Sequence, residues 1–261
     1  MTSLKTIRIQ THKKVFFASD FHLGAPDYQS SLQREKKIVQ WLDSIKHETD
    51  LIFLIGDIFD FWFEYKFAIP KGFIRFQGKL AELRDMGIQI VFFVGNHDMW
   101  MFDYFTKELG IPIYRHPQVW EINQNKLLIA HGDGLGPGDH RYKILKKIFR
   151  NQLCQWLFAR LHPNLGVGLG SYLSRSTRAK KMKHRKFERF RGDQEWLIQF
   201  CKSMESRQHH DFYIFGHRHL PLDIPINSQS RYINTGEWIE ACTYAYLQGN
   251  QINLVKFEES I

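Results

Sequence analysis

Three features of the 261-residue sequence predict an α/β layered fold. Short apolar runs alternate with helix-compatible segments. The runs are continuous rather than alternating, as in strands covered on both faces. Five of them end abruptly in Asp, His or Asn, and in such folds ligands collect beyond the carboxyl ends of strands.

The first run, Lys14–Ala18 (KVFFA), leads into Ser19-Asp20-Phe21-His22. Ser31–Lys46 follows, with Leu32, Ile38, Val39, Leu42 and Ile45 spaced for one helical face. Leu51–Ile55 (LIFLI) leads into Gly56-Asp57. Phe73–Met86 carries another apolar face, with Gly87 as its C-terminal cap. Ile90–Val94 (IVFFV) leads into Gly95-Asn96-His97-Asp98, and Lys126–Ala130 (KLLIA) into His131-Gly132-Asp133. Phe212–Phe215 (FYIF) leads into Gly216-His217-Arg218-His219. The remainder is β-rich: Arg231–Thr235, Thr243–Leu247 and Gln251–Phe257 read as an antiparallel meander, a second sheet packed on the first.

Composition is that of a globular chain, with 43% apolar and 24% charged residues. The three cysteines, Cys154, Cys201 and Cys242, form no CxxC pair, which argues against a disulfide framework and a thiolate zinc site. The opening MTSLKTIRIQTHKK has no apolar signal core, and no apolar run approaches the ~18–20 residues of a membrane span. The expectation is a cytoplasmic protein, soluble or peripheral to a membrane.

The net charge of +9 is concentrated in one place. Arg141–Arg191 holds 15 Lys/Arg and a single acid, Glu188, so it carries +14, and the other 210 residues carry −5. Such a block points to a polyanionic partner. Within it, Tyr142, Leu145, Ile148, Phe149, Leu153, Trp156, Leu157 and Leu161 describe one cationic amphipathic helix, ended by Pro163. NLGVGLG then reads as a glycine-punctuated connection, and a second basic helix runs from about Ser171 to Lys186. A basic amphipathic helix can rest on an anionic membrane surface or pack its stripe on the body.

Asp20, His22, Asp57, Asn96, His131, His217 and His219 offer seven oxygen and nitrogen donors and no thiolate. That mixture suits Mn2+, Fe2+ or Zn2+. Seven donors exceed the needs of one tetrahedral ion and suffice for two if a carboxylate is shared. Asp57, following a glycine at a strand end, is placed for sharing. Two ions ~3.5–4 Å apart can hold a hydroxide between them for in-line attack on phosphorus. His97 is positioned in sequence to donate to a leaving group or a phosphoryl oxygen, with Asp98 orienting it. The remaining histidines, His210 among them, match no such pattern and are assigned to surface or loops.

DFH (20–22), GDIFD (56–60), GNHD (95–98), HGD (131–133) and GHRH (216–219) resemble the five ordered blocks of calcineurin-like metallophosphoesterases. The resemblance implies a four-layer αββα sandwich with a dinuclear site. It assigns Asp20, His22, Asp57 and His219 to one ion and Asp57, Asn96, His131 and His217 to the other. FASDFHLG, GDIFDFWF and HGDGLGPGDHRYK, followed by a basic apolar insert, further resemble the UDP-2,3-diacylglucosamine pyrophosphatase family. That likeness implies hydrolysis of the acylated UDP-sugar to UMP and 2,3-diacylglucosamine 1-phosphate with Mn2+, at the cytoplasmic face of the inner membrane. It implies a single domain over 1–261 with a helical lid at 140–192. Asn96, His97, Asp139, Arg175, Arg178, Lys180 and Lys181 are its candidate substrate contacts.

One position departs from that family: its well-known members carry Arg where this chain has His97. A pyrophosphate expels a phosphate monoester, which needs little protonation, so either side chain serves. A phosphodiesterase or nuclease is the alternative reading. The Leu/Ile/Phe-rich insert and the lack of a nucleic-acid motif argue against it. A non-catalytic scaffold would have lost ligands, and all seven are present.

Overall fold

A computed structural model describes residues 4–10, 12–183 and 190–258, with side chains as far as residue 176 in the helix that ends at 183. In chain order the elements are β1 (Lys5–Ile7), β2 (Lys14–Ala18), α1 (Tyr28–Ile45), β3 (Thr49–Ile55), α2 (Ile74–Asp85) and β4 (Gln89–Phe93). Then come α3 (Tyr104–Leu109), β5 (Ile113–Tyr114), β6 (Gln118–Ile122), β7 (Asn125–Ile129), α4 (His140–Arg150), α5 (Gln152–Phe158) and α6 (Pro163–Lys183). The chain continues through α7 (Trp196–Glu205), β8 (Phe212–Phe215), β9 (Pro221–Pro225), β10 (Arg231–Thr235), β11 (Thr243–Gln248) and β12 (Gln251–Lys256).

Two six-stranded sheets form, in the orders β1-β6-β7-β8-β10-β9 and β12-β11-β2-β3-β4-β5. Successive residues of a strand face opposite sides, so a continuous apolar run feeds two cores. Phe17, Phe53 and Phe93 meet Trp120, Ile129 and Ile214 between the sheets. Their neighbours Phe16, Leu54 and Phe92 face outward beneath Trp41 of α1, Leu80 of α2 and Phe105 of α3. On the far side, Leu128, Tyr213 and Tyr232 pack under Leu197 and Ile198 of α7. The result is the four-layer αββα sandwich.

Several local expectations are corrected. The three C-terminal strands are no single meander: β10 pairs with β8 and β9, while β11 and β12 join β2 in the other sheet. The Glu237 carboxylate holds the intervening turn, accepting the N–H groups of Ile239, Glu240 and Ala241. The expected helix through Leu161 breaks at Asn151, whose backbone is extended and whose Oδ1 caps α5 by accepting the N–H groups of Leu153 (2.9 Å) and Cys154 (3.3 Å). Pro163 starts α6 rather than ending a helix, since a first-turn position needs no N–H. NLGVGLG is helical. Two buried glycines within it, Gly166 and Gly170, sit against the Tyr65 and Phe61 rings. His210 is fully buried, its Nδ1 3.2 Å from Tyr213 Oη.

The N-terminus of α2 has no local cap, because Phe73 before it is left-handed and apolar. Glu35, buried on α1, supplies the acceptor across the helix pair and takes the N–H groups of Arg75 (2.8 Å) and Phe76 (3.1 Å). Removing it strands two donors. Glu35→Ala is expected to lower the unfolding free energy by about 1–3 kcal/mol. Glu35→Gln, which keeps an acceptor, should cost less. Urea unfolding of the two variants checks this, and equal midpoints would refute it.

Candidate metal centre

β2, β3 and β4 are parallel neighbours in one sheet, and β7 and β8 are parallel neighbours in the other. Their carboxyl ends therefore deliver the five motifs to one region between the sheets. The chain must leave each strand sharply to turn a side chain inward. Asp20, His22, Asp57, His217 and His219 all have left-handed backbones, with φ between 45° and 68°. Residues with a Cβ rarely adopt this, at a cost on the order of 1–3 kcal/mol each. Main-chain hydrogen bonds between the loops hold it: Asp20 N–H to Gly56 O (3.0 Å), His22 N–H to Asp57 O (2.9 Å) and Gly216 N–H to His131 O (3.0 Å). Two glycines permit the close approach. A Cβ at Gly95 would overlap the Asp57 carboxylate, and one at Gly216 would overlap Asp20 and Ser19.

Ligand atoms of Asp20, His22, Asp57 and His219 all lie within 4.8 Å of one another, as do those of Asp57, His131 and His217. Asp57 belongs to both groups. His219 Nε2 is 3.1 Å from both Asp20 Oδ1 and His22 Nε2, and His131 Nε2 is 3.4 Å from Asp57 Oδ2. Asn96 joins the second group, its Oδ1 3.0 Å from His217 Nδ1. Asp20 Oδ1 and His131 Nε2 are buried without a hydrogen-bond partner, although opposite partners stand close by. Buried polar atoms are seldom left so. These two unpartnered atoms, within the converging donors, fit a cation among them, and the O/N donor set suits a divalent one.

Electrostatics follow from burial in mixed company. Burial pushes the Asp20 and Asp57 carboxyls up, but histidines outweigh it (His219 chiefly for Asp20, His131 for Asp57), and both end well below the usual carboxylate range. Burial would lower His131, yet Asp57 raises it to about 10. Burial and the adjacent His131 push His217 down to about 3. Burial, then the Asp57 charge, raises Asp98 to about 7.

The remaining expected residues divide. Asp98 does not face the His97 ring. It accepts the N–H groups of Gly95 (2.7 Å) and Ile58 (2.8 Å) and so ties the second and third motifs together. The His97 ring stands edge-on to His22 at 5.0 Å between centroids and also meets two residues not among the expected site residues, Asp60 and Ser174. His97 Nδ1 lies 3.0 Å from the Asp60 carbonyl oxygen and 2.8 Å from Ser174 Oγ. Asp60 stands in the GDIFD block as its second carboxylate. Ser174 is a serine in a helix, without any local signal. Asp133 also gains partners, accepting from Tyr142 Oη (2.5 Å) and pairing with Lys146, which anchors α4 to the HGD loop. Arg34 holds the DFH loop through the carbonyls of His22 and Ala25.

Asp139 is half-buried and left-handed, immediately before α4. Arg175 is exposed and donates to Gly24 O at 3.1 Å, beside the DFH loop. The side chains of Arg178, Lys180 and Lys181 lie outside the described residues.

Comparison with known proteins agrees with this geometry. The family model described as calcineurin-like phosphoesterase matches residues 13–221. A protein of Porphyromonas gingivalis named UDP-2,3-diacylglucosamine hydrolase is 38% identical over 94% of this chain and 98% of its own. Proteins of that name from Aeromonas salmonicida and Histophilus somni are 28% and 24% identical, covering 86% and 79% of this chain and 85% and 84% of theirs. The match spans all five strand-end motifs, and the chain belongs to the calcineurin-like phosphoesterase family.

Proposed function

We propose that this protein hydrolyses the pyrophosphate bond of UDP-2,3-diacylglucosamine, releasing UMP and 2,3-diacylglucosamine 1-phosphate, with two divalent ions, Mn2+ in the native enzyme. The observation that carries the proposal is the sharing of Asp57 between two ligand groups beside a basic, apolar helical segment. The relative from Porphyromonas gingivalis supports the substrate by its name.

Asp20, His22, Asp57 and His219 would hold one ion, and Asp57, Asn96, His131 and His217 the other. Bound there, the ions supply Lewis acidity at the phosphoryl oxygens and a nucleophile drawn from water at neutral pH. The protein's own groups do the rest. Asp98 and the loop hydrogen bonds fix the Asp57 and Asn96 backbones. His97 donates to a phosphoryl oxygen or the leaving phosphate. Asp139 and Arg175, with Arg178, Lys180 and Lys181, are proposed to engage the glucosamine and phosphates.

The basic insert 140–192, with its helices α4, α5 and α6, is proposed as the cover that takes the acyl chains. Phe149 and Phe158 bind it to the body, packing with Trp100 and Phe63. Much of its apolar stripe faces outward: Leu153 is 64% exposed, Trp156 52% and Leu165 67%. Each methylene of an acyl chain buried there contributes ~0.8 kcal/mol. Its cations would hold the segment on an anionic membrane at ~1 kcal/mol per Lys/Arg near the surface. No described helix is long and apolar enough to cross a membrane. The basic, outward-facing apolar segment and the acylated substrate support the proposed location, the cytoplasmic surface of the inner membrane. An exposed apolar row suits an acylated substrate better than a nucleic-acid backbone.

Three outcomes are expected. Asp57→Ala abolishes UMP release and lowers bound manganese, whereas full turnover in that variant would reject the mechanism. Mn2+ uptake expels a proton. A ligating imidazole must be neutral, and His131, raised to about 10, keeps its proton at neutral pH in the ion-free protein. Apparent affinity therefore rises with pH up to about 10 and falls on acidification. Calorimetric titration in two buffers of unequal ionisation enthalpy reads the proton, and equal heats would contradict the assignment. Trp156→Ser with Leu157→Ser weakens sedimentation with phosphatidylglycerol vesicles while leaving metal content intact, and unchanged sedimentation would remove the membrane from the proposal.

A further inference from the structure

One face of α6 is built from small residues at four-residue spacing: Gly166, Gly170 and Ser174. The two glycines are buried. A Cβ on Gly166 would overlap Tyr65 Oη, and one on Gly170 would overlap the Phe61 ring. The helix therefore lies directly on the 61–65 segment. One turn further along the same face, Ser174 reaches the metal centre.

Its hydroxyl makes two contacts of equal length. Ser174 Oγ donates to Asp60 Oδ2 at 2.8 Å and stands 2.8 Å from His97 Nδ1. Asp60 O, which can only accept, is 3.0 Å from the same nitrogen. The serine proton is committed to the carboxylate, so its lone pair must accept. Both partners of Nδ1 are then acceptors, and Nδ1 holds its proton, so Nε2 is the ring atom left for the phosphates: it donates to them when it carries the second proton of the ring and accepts when it does not. The carboxyl of Asp60 approaches His97 Nδ1 only to 3.8 Å through Oδ1, so the closer link between carboxylate and ring runs through the serine.

We propose that Ser174 is a positioning residue that fixes the tautomer and orientation of His97. Because it rides on α6, seating of that helix against Phe61 and Tyr65 and readiness of the imidazole are one event. This rests on the hydrolase reading above. It adds that the segment covering the acyl chains also sets the group that meets the phosphates, so a substrate that seats α6 completes its own site. Serine suits this position because it fits a helix face otherwise made of glycine and because its hydroxyl both donates and accepts.

The test uses the full-length Mn2+-loaded enzyme for kinetics and the ion-free protein for nitrogen NMR of the histidine rings. Ser174→Ala is expected to lower kcat by about ten- to a hundredfold with KM nearly unchanged. In its spectrum the His97 proton is no longer confined to Nδ1. Ser174→Thr, which keeps the hydroxyl, restores both. Gly170→Leu, which lifts α6 from Phe61, reproduces the kcat loss, and adding Ser174→Ala to it costs little more. A loss confined to KM would make Ser174 a substrate contact and overturn the proposal. So would an unchanged His97 spectrum in Ser174→Ala, or full additivity of the two substitutions. The NMR arm needs no substrate. If the wild-type enzyme ignores UDP-2,3-diacylglucosamine, the substrate assignment fails while the spectrum still decides the role of Ser174.

Discussion

Two buried carboxylates, the buried imidazoles of His22 and His131 and the half-buried imidazole of His217, at the ends of two sheets, are the constraint around which this molecule is organised. Isolated buried charges are costly, so each must be compensated by another or by a cation. Here the compensation is mutual and uneven. Asp20 and Asp57 are held far below the ordinary carboxylate range, and His131 is raised to about 10 by Asp57. His217, beside that charged ring, is driven down to about 3. The first imidazole neutralises the shared carboxylate, and the second is kept uncharged as a donor atom. Ion binding replaces one compensation with another rather than creating a charge arrangement from nothing, which is why metal and proton must compete.

That constraint propagates into the backbone. Five inward-facing residues have left-handed φ, and none of them is glycine. Such conformations persist only where the surroundings over-determine them. The loops are fastened to one another more than to solvent: Asp98 accepts from both Gly95 and Ile58, and Trp238 N–H reaches Asp20 O at 3.2 Å. Behind them, the β2, β3 and β4 runs fill cores on both faces of their sheet. A strand that could slip in register would carry its terminal ligand out of the site. Burial on both faces removes that freedom.

The legible part of the fold was the part with period and punctuation. KVFFA, LIFLI, IVFFV, KLLIA and FYIF became strands within a residue or two of their expected limits, and Gly87 ends α2 as a left-handed residue. Strand-end Asp, His and Asn residues converged because parallel strands point their ends the same way. Pairing partners were not legible. The β10–β11 segment crosses between sheets through a Glu237-held turn that looks in sequence like any hairpin connection. Helix limits in the insert depended on one competition, Asn151 capping a new helix against continuing the old, which hydrophobic spacing does not register. Adjacency in sequence suggests Asp98 as the partner of His97. Adjacent residues at a sharp turn point apart, and the ring found Asp60 and Ser174, 37 and 77 residues away.

The GDIFDFWFEY stretch shows how the site and the insert come to be inseparable. Asp57 belongs to both ligand groups, and Asp60 stands against His22 and His97. Ile58, Phe59 and Trp62 turn the other way into the core beneath α1, α2 and α3. Phe61, Phe63 and Tyr65 face the insert, meeting Phe149 and Phe158. Glu64, buried, accepts the N–H groups of Asp103 (2.7 Å) and Tyr104 (3.1 Å) at the start of α3. Nine consecutive residues thus serve the ion site, the core, a helix cap and the seat of the insert. A shift of this segment large enough to move the insert moves a metal-centre carboxylate with it. The chain's 22 phenylalanines and 7 tryptophans find a reason here, since rigid rings packed at centroid distances of 4.2–6.3 Å transmit position with little slack.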